Sequence, residues 1–186
     1  MNTTSSVTIR PGHPADTDAL VALNAEWQRE QVPTLQHGFI EAALNQEAFL
    51  ALIDQRQVVV AVDGSILVGY YLLNTVAPTG THAAQRHKAE GLQRIGLLPA
   101  GPFGVGAQAC LTRLYQGQGL RPRLLALLLE QLHGRYAWLF ATIPHDNPRA
   151  RRAHTNDGWQ IVAEDVDLLY VWLPVPTAPE EIISAL

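Results

Sequence analysis

The chain has 186 residues, 47% hydrophobic and 16% charged, with a formal net charge of −4 when its seven His are neutral. That length fits one domain able to bury a full core, and the composition excludes a disordered chain. The mild acidity leaves no electrostatic footprint for nucleic acid or an anionic membrane, the single cysteine, Cys110, excludes an internal disulfide and CxxC zinc sites, and no apolar run approaches a membrane span.

Met1-Asn-Thr-Thr-Ser-Ser lacks the basic start and apolar stretch of a signal peptide, so a soluble cytoplasmic protein is expected. The chain then opens with a short strand, Val7–Arg10, broken by Pro11 and Pro14. Asp16 or Thr17 caps a helix carried by Leu20, Leu23, Asn24 and Trp27, which Pro33 ends. The spacing of Ile40, Ala43, Leu44, Phe49 and Leu50 predicts a second helix from about Phe39 to Asp54. Val58–Val62 and Ile66–Leu73 read as strands of an antiparallel hairpin about the Asp63-Gly64 turn, with Gly69 marking a bulge or a close approach.

Asn74 to Gly104 is punctuated by Pro and Gly, and its polar middle, His82 to Arg94, predicts one short helix. An insertion of this length reads as a lid or a mobile segment. Val105–Leu114 follows as a strand, then the turn Tyr115-Gln-Gly-Gln-Gly-Leu120, then an apolar helix through Leu132 closed by Gly134. Tyr136–Ile143 has the apolar density of a strand buried on both faces. Pro148 fits the first turn of a helix over Asn147–Asn156, and Trp159–Ala163 and Leu168–Leu173 finish as strands. The tail, 174–186, is Pro-rich and then acidic, and could hold a last helical turn or be loose. The order predicts a single mixed α/β domain with its core over 7–173 and an insertion over 75–104. Its central sheet is mostly antiparallel and flanked by helices. A strand–turn–helix–strand crossover makes one strand pair parallel.

Gly117 and Gly119 end a strand and open a helix, where unpartnered amides and the helix dipole favour an anion such as pyrophosphate. No Gly-Lys-Ser/Thr follows, and the dinucleotide spacing Gly-x-Gly-x-x-Gly fails at Arg123. In context the turn says more. Gln116-Gly-Gln-Gly-Leu-Arg121 resembles the acetyl-CoA signature Arg/Gln-x-x-Gly-x-Gly/Ala of the GNAT superfamily of N-acetyltransferases. Asn147-Pro-Arg-Ala150 through Gly158-Trp159 is similar to a downstream segment of that family, and Ile9-Arg-Pro11 with Asp16 and the Asp63-Gly64 hairpin match its opening.

The resemblance implies a GNAT-like fold over most of 7–173. The parallel strands would splay apart around acetyl-CoA, the cosubstrate, with no metal. It implies direct attack by a primary amine of a small-molecule or peptide acceptor. Cofactor contacts are expected from Ala109, Cys110 and Leu111 on the strand, from Gln116, Gly117, Gln118, Gly119, Leu120 and Arg121 at the turn, and from Asn147, whose cap function alone would also explain it. A homodimer is compatible with this reading.

The departures define the questions. Arg121 stands where the family has Gly or Ala, and either crowds the pyrophosphate or grips it. His154 stands where the family has the tyrosine that protonates the departing thiolate, so an acid role is its expected function beside that of a plain helix residue. The strand 105–114 has no carboxylate to serve as base, which leaves water or an insertion residue such as His82, His87 or Glu90. Arg149, Arg151 and Arg152 read as a solvated face ahead of a CoA-phosphate contact. A non-catalytic acyl-CoA-binding module and a structural domain blocked by Arg121 are the rivals.

Overall fold

The structure, a computed structural model, describes residues 7–74 and 81–177. The N-terminal hexapeptide, residues 75–80 of the insertion and the tail beyond Thr177 lie outside them, and with the tail the expectation of a last helical turn. Two four-stranded sheets form the frame. In the first, β1 (Val7–Pro11), β2 (Val58–Asp63), β3 (Ile66–Leu73) and β5 (Ala107–Leu111) run antiparallel in that order. The second has the order β4 (Phe103–Val105), β6 (Trp138–Pro144), β8 (Leu168–Pro174), β7 (Gln160–Glu164), with β4 parallel to β6. The helices are α1 (Thr17–Glu26), α2 (Gln46–Asp54), α3 (Thr81–Arg94), α4 (Leu120–Leu132) and α5 (Pro148–Asn156).

Alternation along the strands builds three cores, because successive side chains point to opposite faces. Val59 and Ala61 of β2 join Tyr71 and Leu73 of β3 under the leucines of α4, together with Leu139 and Ala141 of β6. Val58, Val60, Tyr70 and Leu72 face the other way, onto Leu20 and Leu23 of α1 and Phe49 and Leu52 of α2. Trp138 and Phe140 of β6, with Phe103 and Val105, pack against Ala89 and Leu92 of α3. Both sheets are thus covered on both faces, which is why β2 and β6 read as continuous apolar runs. The register slips between Ala61 and Val62 opposite Gly69, so the expected bulge is present, and a Cβ on Gly69 would lie 2.2 Å from the Leu111 side chain.

Four expectations are corrected. The helix expected from Phe39 starts at Gln46, where Asn45 caps it by accepting from the Ala48 amide at 2.9 Å. The buried Asn24 side chain takes the Leu44 amide (3.0 Å) and the Ala42 carbonyl (3.2 Å), groups a helix there would need for itself. The first helix stops at Glu26, because residue 40 bridges back to 28 and the Ile40 amide donates to Trp27 O at 2.8 Å. The strand expected over 105–114 is two strands ending at Leu111, and Arg113–Tyr115 is a 3-10 turn.

The fourth correction follows from that split: only Phe103–Val105 pairs in parallel with Trp138–Phe140. Gly106 is the joint between the two sheets. Its amide donates to Phe140 O and its carbonyl accepts from Asn74 N, both at 3.1 Å, so one residue is tied to each sheet. It needs to be glycine twice over: φ is +82°, and a Cβ would sit 2.7 Å from His82 Nε2 and 2.9 Å from Asn74 O. Beyond this joint β5 and β6 part.

Candidate active site

The hydrogen-bond phase of the two diverging strands decides what faces the gap. On β5, Asn74 N to Gly106 O and Thr112 N to Val68 O bracket the ladder, so even-numbered residues pair with β3. Ala107, Ala109 and Leu111 therefore turn their main-chain groups to the gap, and the Leu111 carbonyl accepts from Gln116 Nε2 at 3.0 Å. On β6, Val175 N to Ala137 O and His145 N to Asp167 O put the odd-numbered residues onto β8, which leaves the main chain of Thr142 facing β5 across the gap. The cleft they border has a volume of about 1400 Å³. Ala109 and Leu111 are thus in phase for an extended ligand. Cys110 is out of phase, and burial pushes its thiol up to about 12, so no thiolate is on offer.

At one end of the cleft stands the glycine turn. Gly117 (φ +76°) and Gly119 (φ +70°) are left-handed, and nothing lies within 4 Å of a Cβ built on either. Conformation, not crowding, is what demands glycine there. Gly119 is the N-cap of α4 and no side chain caps that helix, so its first amides are left to the cleft. Leu120 is buried and anchors the first turn. The exposed Gln118 instead donates to Leu114 O at 2.8 Å and does not line the cleft. Gln116 Oε1 accepts from Arg149 Nη2 at 2.5 Å, which tethers α5 to the turn. Arg149 and Arg152 both line the cleft, unlike the exposed Arg151, so the basic cluster is divided and two of its members face the site.

Arg121 lines the cleft, but its side chain is engaged with a carboxylate. Its Nε lies 2.7 Å from Asp157 Oδ2, and its guanidinium sits 5.6 Å from the Tyr71 ring. It is committed to a buried carboxylate. Burial pushes Asp157 up to about 6 even against the pull of Arg121. Asn147 has both ends of its amide engaged: Oδ1 accepts from Ala150 N at 3.1 Å, and Nδ2 donates to Phe39 O at 2.9 Å. It caps α5 and ties down the 37–45 loop, the simpler of its two expected roles.

His154 differs from its expectation in protonation. Nδ1 lies 2.8 Å from Ala150 O, and a carbonyl only accepts, so the ring hydrogen is on Nδ1. Burial, with the nearby Arg121 charge, lowers its pKa to about 3. At neutral pH the imidazole is uncharged, its one N–H is spent on the Ala150 carbonyl, and the ring packs edge-on with Trp159, the ring centroids 5.2 Å apart. A neutral His154 held this way has its one N–H engaged with a main-chain carbonyl.

At the other end of the cleft stands His82, one of the insertion residues expected to take the acceptor proton, with polar neighbours that the sequence did not single out. Asn74 is 1% exposed, lines the cleft, and has no partner for Nδ2 or Oδ1 among the described residues. Gln85 donates to Thr142 Oγ1 at 2.8 Å, and its buried Oε1 has no partner among them either. His82, one turn before Gln85, lies over Gly106. Gln108 donates to Tyr70 Oη at 2.6 Å, and Asn24 donates to the same oxygen at 3.0 Å. The sequence held one usable signal: His82, Gln85, Ala89 and Leu92 repeat at helical spacing, polar toward the cleft and apolar toward the core.

No protein-family model matches this chain, and no curated protein matches it. Its architecture is found among solved structures. It is similar to a GNAT superfamily phosphinothricin acetyltransferase from Sinorhizobium meliloti in complex with acetyl-CoA, at 16% identity, covering 91% of this chain and 89% of that one with a TM-score of 0.60. It is similar to a ribosomal-protein-alanine N-acetyltransferase from Brucella melitensis, at 21% identity, 90% and 99% coverage and a TM-score of 0.58. An acetyltransferase of the GNAT family from Streptococcus pneumoniae aligns at 18% identity, 92% and 100% coverage and a TM-score of 0.59. At such identities the likeness establishes the fold, which is the GNAT fold that the motifs led one to expect.

Proposed function

We propose that this chain transfers the acetyl group of acetyl-CoA to a primary amine by direct attack. One observation carries the reading: an uncapped helix N-terminus with two left-handed glycines and an open strand edge border the same cleft. The amides from Gly117 to Arg121, with Arg149 beside them, suit the pyrophosphate. The free main-chain groups of Ala109 and Leu111 suit the pantetheine amides. Nothing fills the space above Gly117 and Gly119, so these residues fit the group.

Acetyl-CoA supplies an activated acyl group and a thiolate leaving group. In the balanced reaction the amine nitrogen bonds the acyl carbon, the C–S bond breaks with its electron pair to sulfur, and an ammonium acceptor gives up two protons, one of which ends on the thiol. The chain's part is orientation and charge. The N–H groups of Ala107 and Ala109 on the open edge are donors for a carbonyl oxygen in the cleft. His154 keeps a neutral, unprotonated nitrogen near α4, which fits packing against Trp159 better than proton donation.

That last point favours a second reading, an acyl-CoA-binding module without turnover. Calorimetry with acetyl-CoA and thiol release over an amine panel separate the two. Binding with thiol release supports transfer, binding without it supports the module, and no heat at millimolar acetyl-CoA overturns both.

A further inference from the structure

Resting on the acetyl-transfer reading, we propose that α3 brings the acceptor chemistry to the cleft: His82 takes the proton of the attacking amine, while Asn74 and Gln85 hold a weakly basic primary amine with a carbonyl beside it. The joint at Gly106 brings His82 and Asn74 together, and Gln85 lies one turn farther along α3, donating to Thr142 Oγ1 at 2.8 Å. The His82 imidazole occupies the place a Cβ would take on Gly106, and the Asn74 main chain is bonded to the same residue. This is where β5 begins its open edge.

The unpartnered atoms describe a ligand. Asn74 Oδ1 and Gln85 Oε1 are acceptors, and Asn74 Nδ2 is a donor, all three buried without partners among the described residues. A buried polar atom left so is costly unless something arrives to pair it. An amine offers N–H groups to the two oxygens, and a carbonyl two atoms away accepts from Nδ2. No free carboxylate lines the cleft among the described residues. Glu41 is paired with Arg29 at 2.6 Å and Asp157 with Arg121 at 2.7 Å. A polycation therefore has nothing to meet.

The surroundings of His82 are uncharged. Around it in the cleft lining, the residue after β3 is Asn74, the joint is Gly106, β5 offers Gln108, β6 offers Thr142, and its own helix offers Gln85. Of the charged and titratable groups farther along α3, Arg86 turns to the Phe103 ring and Lys88 to Tyr170 and Asp165, while His87, Glu90 and Arg94 are exposed and outside the cleft lining. Burial is the one cause that lowers the His82 pKa from its ordinary 6.5, so the ring is a neutral, weak base at pH 7. A weak base suits a weakly basic amine. An α-ammonium beside a carbonyl has a pKa of about 7.7–8.0, an alkylammonium about 10.4, a difference of roughly 10²–10³ in the ease of losing the proton. The ammonium gives one proton to His82, which passes it to water after the amide has formed. The second leaves with the thiol.

The test uses the whole chain. Acetyl-CoA is first titrated into wild type by calorimetry; absence of binding would overturn the acetyl-transfer reading itself. With binding established, thiol release at pH 7 is compared for L-alaninamide, n-propylamine and spermidine. L-alaninamide is expected to react fastest, and equal or faster reaction with either alkylamine overturns the proposal. His82→Gln should keep the acetyl-CoA dissociation constant and lose about 10²-fold or more in rate, with the remainder climbing as pH rises. An unchanged rate and pH profile overturns the base role. Asn74→Leu should raise the KM for L-alaninamide at least about tenfold without touching acetyl-CoA affinity, and an unchanged KM overturns the amide contact. If His82→Gln fails to bind acetyl-CoA, the wild-type amine series and an NMR titration of the His82 ring decide. A midpoint below 6.5 that moves on adding L-alaninamide supports the proposal, and a midpoint that stays put overturns it.

Discussion

The half of the cleft beside α4 offers mainly main-chain groups, with Arg149 beside them, and the half beside α3 offers side chains. At the α4 end the working groups are amides: the uncapped first turn after Gly119 and the alternate N–H groups of β5. At the α3 end they are the amides and imidazole of Asn74, His82, Gln85 and Gln108, drawn from three separate elements. Main chain is the same whatever the side chains are, so the first half specifies a ligand common to many acceptors, and the second half is free to specify which acceptor. The Gly106 joint connects them and belongs to both.

The joint is the place to break both halves at once. Gly106→Ala puts a Cβ within 2.9 Å of His82 and of the Asn74 carbonyl at a φ of +82°. Left-handed strain of about 1–2 kcal/mol and overpacking of about 1–3 kcal/mol add to a fall in Tm of roughly 5–15 °C, read by calorimetric melting. A substitution in the main-chain half alone is more selective. Gly119→Val, at φ +70° with open space around it, should lower acetyl-CoA affinity about 100-fold or more while the melt stays within a few degrees. Gly119→Asn, which tolerates the left-handed region, should fall between the two. If Val and Asn weaken binding equally, conformation is not what the glycine supplies.

This contrast also explains what could be read from the sequence. The Gln116–Arg121 turn announces itself, because left-handed glycines at fixed offsets before a helix leave a local mark. Main-chain recognition by Ala109 and Leu111 follows from strand alternation. Asn74, Gln108 and Thr142 leave no such mark, because their spacing along the chain has no meaning until two sheets and a helix converge. Side-chain direction was equally hidden. Arg121, read against the pyrophosphate, turns to Asp157, and that partner is 36 residues away. The helix expected over 39–45 failed for the same kind of reason: Asn24, on another helix, captures the Leu44 amide and the Ala42 carbonyl.

Beneath the main-chain half lies the Arg121–Asp157 pair, and removing its cation sharpens the comparison further. Arg121→Ala leaves Asp157 buried without its partner and should cost about 2 kcal/mol at pH 7.5. Asp157 already has its pKa raised to about 6, so its proton stabilises the fold at low pH and that contribution is lost as pH rises through 6. The deficit of Arg121→Ala should therefore shrink between pH 7.5 and pH 5, and Arg121→Ala with Asp157→Asn should melt nearer to wild type. His154 works with the opposite sign. Its pKa is lowered to about 3, so the unfolded chain takes a proton that the native ring refuses, and stability falls as pH drops from 6.5 toward 3. His154→Phe should flatten that part of the stability profile by a few degrees. In an active enzyme it should leave the rate within about tenfold of wild type, well short of the 10²–10⁴ of a lost acid.

The central claim is that main chain in a fixed phase, with Arg149 beside the glycine turn, receives the cosubstrate. The most direct measurement is an amide NMR titration of the protein with acetyl-CoA. The account predicts that Gly117 to Arg121 shift together with Ala109 and Leu111, while Gln108 and Cys110, whose amides are held by β3, stay close to their free positions. Shifts spread evenly along Ala107–Leu111, or shifts at β5 with none at the glycine turn, would contradict it.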